Sequence, residues 1–115
     1  MQSTPLLPSP RSSPRGTQRY ARILFSTPIT LHYLTTRGIR SSRGVSLDIS
    51  EGGLGALVEG SLQAGNTVAI DVKLPEFDLK TVAIVRYSTS VRSGFEFLGL
   101  TAEERQRLAG FVASA

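Results

Sequence analysis

Residues 66–74 read NTVAIDVKL, and residues 79–88 read LKTVAIVRYS after the short link Pro75 to Asp78. In the first run Val68, Ile70, Val72 and Leu74 alternate with Thr67, Ala69, Asp71 and Lys73. Side chains on a strand point to opposite faces in turn, so this spacing describes a strand with one face in a core. The link is short and carries a proline and two acids, which suits a hairpin closure onto the second run. Two neighbouring strands joined this tightly are antiparallel.

Working outward, the same period recurs on both sides. Upstream, Ile23 and Phe25, then Ile29, Leu31 and Tyr33 after a break at Pro28, share one face, and Leu24, Ser26, Thr30 and His32 share the other. The polar stretch Thr35 to Arg43 is expected to be a loop or the twisted tip of a hairpin. Val45, Leu47 and Ile49 then alternate with Ser46, Asp48 and Ser50, so Asp48 and Ser50 are expected together, opposite those three. Gly52 and Gly53 turn the chain into a strand over 54–58, and residues 62–66 form a further turn. Downstream, Phe95 and Phe97 flank Glu96 in a last strand and belong to the core. Six strands with short links and no intervening helix predict an all-β fold, an antiparallel barrel or sandwich rather than alternating strands and helices.

At the C-terminus the period changes. Thr101 followed by Glu104 makes a capping box that starts a helix over 102–112. Leu108, Phe111 and Val112 fall on one helical face, suited to packing on the barrel. At the other end, residues 1–17 carry four prolines, which remove backbone donors and forbid regular structure. This segment is expected to be a disordered arm ahead of a domain spanning 18–115.

Charge divides the chain unevenly. Residues 1–47 contain seven arginines and no acid, whereas the other 68 residues carry six basic groups against all nine acids. The guanidinium fork suits phosphate and the edge of guanine, so an anionic ligand with flat bases is the first expectation. With no cysteine and His32 as the one histidine, thiolate chemistry and histidine metal clusters are excluded. No nucleophile, base and orienting group stand together, and His32 reads as structural or exposed, so an enzyme is not expected. No apolar run reaches the length of a membrane-spanning helix, which argues against membrane insertion. A barrel binding single-stranded nucleic acid fits the basic half, but lacks the exposed aromatics such a surface needs.

The stretch Asp48-x-Ser50-x-x-Gly53 places an acceptor, a hydroxyl and bare backbone at one turn. Together with Gln18 to Phe25, Leu62-x-x-Gly65, the run 68–75, Ala83-x-Val85, Gly94 to Phe97 and the terminal helix, it resembles the PilZ domain family. The resemblance covers residues 18–113 and implies a six-stranded antiparallel β-barrel that binds the bacterial second messenger cyclic di-GMP in the cytoplasm. It implies a ligand site of Arg19, Arg22, Asp48, Ser50 and Gly53, with Arg15 and Gln18 as further candidates. In that family an R-x-x-x-R element precedes the first strand. With Arg22 as its second arginine, Gln18 stands at the first position, and Arg15 is a substitute. The implied mechanism is an arginine-bearing arm that orders over the barrel on binding and presents a surface to a protein partner. A PilZ-like adaptor without ligand binding is the alternative, and Gln18 is its main support. No further cofactor is implied.

Overall fold

The computed structural model describes residues 20–60 and 62–115. The elements are β1 (Arg22–Leu24), β2 (Pro28–Thr35), β3 (Gly38–Ser50), β4 (Gly53–Val58), β5 (Thr67–Lys73), β6 (Asp78–Ser88), β7 (Ser93–Phe97) and α1 (Ala102–Ser114). Every pairing is antiparallel. The ring runs β2, β5, β6, β7, β4, β3 and back to β2, so six strands close a barrel and leave β1 laid along the end of β3. β1 is a three-residue extension of the first strand, separated from β2 by the break ahead of Pro28. The arm over 1–17 lies outside the described residues.

The core follows the period-two reading closely. Ile29, Leu31, Ile70, Val72, Leu79, Ala83 and Val85 are all at most 2% exposed. Phe95 and Phe97 close the same interior. Burial of such aliphatic and aromatic faces is the main favourable term holding the barrel together. α1 starts at the expected capping box, with Thr101 Oγ1 accepting from Glu104 N and Glu104 Oε1 accepting from Thr101 N. It runs two residues past the expected end and buries Leu108 and Val112. Phe111 meets Phe25 edge to face, ring centroids 4.9 Å apart, so the helix is pinned beside β1.

The polar stretch after Thr35 is a hairpin tip. β2 and β3 pair without interruption from Pro28↔Val45 to Thr35↔Gly38, and Gly38 takes φ of 107° to close the turn. Asp78 opens β6 rather than ending the link before it.

One expectation about β3 needs correction. Val45, Leu47 and Ile49 do not share a face. The register between β3 and β4 shifts between Ser46 and Asp48, leaving Leu47 as the extra residue of a β-bulge. Before the bulge Ser46 points inward, donating to Phe25 O at 2.5 Å and accepting from Thr27 N at 3.0 Å, while Val45 is 42% exposed. Beyond it Ile49 is the inward residue. The inserted residue reverses which parity faces the core, and this sets the aim of Asp48.

Candidate functional site

Asp48 lies on a row that crosses five strands. The cross-strand row through it runs Leu24↔Asp48↔Gly55↔Gly94↔Tyr87, from β1 across β3, β4 and β7 to β6. Its side chain is only 7% exposed although it lies on the wall opposite Ile49. Burial comes from what lies over it. Oδ1 accepts from Arg22 Nη1 and from Gly55 N at 3.1 Å, and Oδ2 accepts from Arg92 Nη2. Both arginines also form ion pairs with it.

Burial works against ionisation of Asp48 and is the largest single influence on it. The hydrogen bonds from Arg92 and Arg22, with their charges, together outweigh it and hold the carboxyl below the ordinary carboxylate range. Reciprocally, the hydrogen bond to Asp48 first, and that to Tyr87 next, push Arg92 upward. Asp48 is therefore a buried anion whose charge is balanced from two sides.

Arg92 was not among the residues singled out from the sequence. It lies in the turn between β6 and β7 and folds back over the wall, its Nε donating to the Tyr87 hydroxyl at 2.8 Å. Gly55 and Gly94, opposite each other on β4 and β7, make this possible. A Cβ at 55 would strike the Arg92 guanidinium, and one at 94 would strike the Tyr87 ring. Bare backbone here makes room for the protein's own side chains. No local motif marks Arg92, because its position depends on the register of β6, β7 and β4.

The remaining sequence candidates divide into two groups. Ser50, 2% exposed, is spent on the turn: its Oγ accepts from Gly52 N at 3.1 Å and donates to Gly53 O at 3.4 Å. Gly53 lets β4 approach β7, since a Cβ there would lie 1.9 Å from the Phe95 carbonyl oxygen. Tyr20 lies with its ring over Gly52, beside this turn. Arg15, Gln18 and Arg19 lie outside the described residues. The chain enters β1 next to Asp48, because Arg22 pairs in register with Ser50.

His32 belongs to a different part of the wall. Its Nδ1 is 2.8 Å from Ser41 Oγ and its Nε2 is 3.7 Å from Asp71 Oδ2. The side chain is 42% exposed on an open sheet face, consistent with a structural or surface role. No group of three or more histidine, cysteine, aspartate or glutamate side chains among the described residues is placed to hold a metal ion. A cavity of about 550 Å³ opens between the end of β4 and the β6–β7 turn, with Leu57, Leu62, Val91 and Arg92 among its walls. Its volume falls in the range of small-molecule sites.

The closed six-stranded barrel, with a D-x-S-x-x-G turn and a guanidinium–carboxylate cluster on its wall, defines a small all-β module built around one buried anion. A model of the PilZ domain matches residues 11–114, and the chain belongs to the PilZ domain family. Solved structures agree on the fold. The Bacillus subtilis inhibitor of motility (MotI/DgrA) superposes with a TM-score of 0.69 at 22% identity, over 90% of this chain and 56% of that one. The PilZ domain of Escherichia coli YcgR, solved with c-di-GMP, gives 0.65 at 24% identity over 85% of this chain and 90% of that domain. The PilZ domain of CeSA from a cellulose-synthesizing bacterium gives 0.63 at 20% identity, over 81% and 95%. This chain thus spans little more than half the length of MotI. A comparison with curated proteins finds no significant match. Among the described residues no helix is long and apolar enough to cross a membrane.

Proposed function

We propose that this chain binds cyclic di-GMP on the outer wall formed by β1, β3 and β4, and passes the signal to a protein partner in the bacterial cytoplasm. Arg22 and Asp48 are the central contacts, Ser50 and Gly53 shape the turn beneath them, and Arg19, Arg15 and Gln18, which precede β1 in the sequence, are further candidate contacts. The observation that carries this reading is the direct pairing of Arg22 with Asp48. The basic end of the chain therefore joins the barrel beside the D-x-S-x-x-G turn and not across the molecule from it.

The chemistry suits the ligand. A guanidinium clasps phosphate or bonds the O6 and N7 of guanine, and an ionised carboxylate accepts from guanine N–H groups. In the free protein Arg22 and Asp48 satisfy each other, so the ligand exchanges one charge-assisted pair for others. Such an exchange costs far less than exposing unpaired buried charge. A relative solved with c-di-GMP supports the choice of ligand.

The alternative, an adaptor that acts by protein contact without a ligand, is favoured by Gln18 and by the three donors already on Asp48. Calorimetric titration separates the two. The ligand reading expects saturable heat with cyclic di-GMP, and about 1–3 kcal/mol weaker binding in Arg22→Ala and in Asp48→Ala. No heat from the wild type at high ligand concentration overturns it in favour of the adaptor.

A further inference from the structure

Asp48 carries two cations from opposite directions. Arg22 belongs to the segment that meets the proposed ligand, whereas Arg92 arrives from the β6–β7 turn on the other flank. We infer that Arg92 is a positioning residue for the ligand site, holding the Asp48 carboxylate in place when Arg22 turns to the ligand. This inference rests on the cyclic di-GMP reading above.

The geometry gives each carboxylate oxygen a separate holder. Oδ2 is held by Arg92, while Oδ1 is shared by Arg22 and the Gly55 amide. Arg92 is itself fixed, because Tyr87 takes its Nε and the Gly55–Gly94 pair clears the space it occupies. Among the described residues Arg22 has no such second anchor, and its side chain is 52% exposed. Of the two, Arg22 is the one free to leave. A phosphate drawing Arg22 away from a carboxylate this buried would strand the anion if nothing else balanced it, and stranding a buried charge is costly. Arg92 removes that penalty. It also keeps the carboxylate ionised, as it must be to accept from guanine. Among the described residues, the charged groups facing Asp48 are Arg22 from β1 and Arg92 from the β6–β7 turn. Tyr87 on β6 stands behind Arg92, and β4 offers only backbone.

The test uses the full chain and two kinds of variant. Arg92→Ala removes the cation. Gly55→Ala leaves the charge but pushes the guanidinium off Asp48, a small movement for the end of a flexible side chain. Both are expected to weaken cyclic di-GMP binding in calorimetry by roughly tenfold or more. Arg92→Lys should recover part of the loss, because an ammonium reaches Asp48 but cannot also hold Tyr87. In the ligand-free protein, the backbone amide signal of residue 55, glycine or alanine, followed by NMR during acidification reports protonation of Asp48. Its midpoint should rise in Arg92→Ala and Gly55→Ala. A role confined to folding would lower the melting temperature and leave that midpoint where it is. Binding by Arg92→Ala as tight as or tighter than wild type, with an unmoved midpoint, overturns the inference. Failure of the wild type itself to bind overturns the ligand reading and this role with it, while a midpoint that still moves shows Arg92 holding Asp48 in the free protein.

Discussion

Replacing Gly53 by alanine tests whether the signature glycine serves the barrel before it serves any ligand. An added Cβ would lie 1.9 Å from the Phe95 carbonyl oxygen and 3.1 Å from Glu96 Cα, both backbone atoms of β7. Ordinary contact begins near 3.4 Å, so β4 and β7 must separate locally by about 1.5 Å. No rotamer change relieves a clash with backbone. The movement strains the Gly53↔Glu96 pairing and the 2.8 Å bond from Phe97 N to Gly52 O. Overpacking of this kind costs about 1–3 kcal/mol and each weakened hydrogen bond about 1 more. The stiffer unfolded chain offsets about 0.4–1 kcal/mol of this. The net loss is about 2–4 kcal/mol, which lowers the melting temperature of a domain this size by roughly 10–25 °C. Thermal unfolding followed by circular dichroism without ligand reads it directly. A melting temperature within about 2 °C of wild type would refute the packing explanation.

Other expectations follow from the same geometry. Gly110→Ala, in α1 with nothing within 4 Å of the added methyl, should stabilise the protein by about 0.5–1 kcal/mol in denaturant unfolding. A loss of stability would mean that the helix packs more closely than described. Asp48 has its folded-state pKa depressed, so its contribution to stability is present above the unfolded carboxylate value and lost as pH falls through the folded one. Asp48→Asn should therefore be less stable at neutral pH and show a shallower loss below about pH 4, and parallel acid-unfolding curves for the two proteins would contradict this. Phe111→Ala, which deletes the ring against Phe25, should cost about 2–4 kcal/mol and fray the helix, visible as faster amide exchange across α1.

The strands, the hairpins and the terminal helix were legible in the sequence because one-sided burial leaves a period that needs no tertiary information. Val68 to Leu74 and the Thr101–Glu104 capping box are the plainest cases. The bulge at Leu47 was not legible. An inserted residue preserves the local alternation in sequence while reversing its meaning in space, so Val45 reads inward and lies outward. The arginine–carboxylate pair was half legible: Arg22 and Asp48 stand in recognisable motifs, but Arg92 reaches Asp48 only through the stacking of β6, β7 and β4. Gly53 and Ser50 were visible as turn residues. Their work against Phe95 and Gly52 belongs to the barrel closing on itself.

The central claim is that the wall around Arg22 and Asp48 receives cyclic di-GMP, and amide chemical-shift mapping addresses it most directly. Titrating the ligand into isotopically labelled protein should move the signals of Arg22, Asp48 and Gly52 to Gly55, and leave those of His32 and Asp71 on the other part of the barrel in place. Shifts gathered around His32 and Asp71, or none at saturating ligand, would contradict the account.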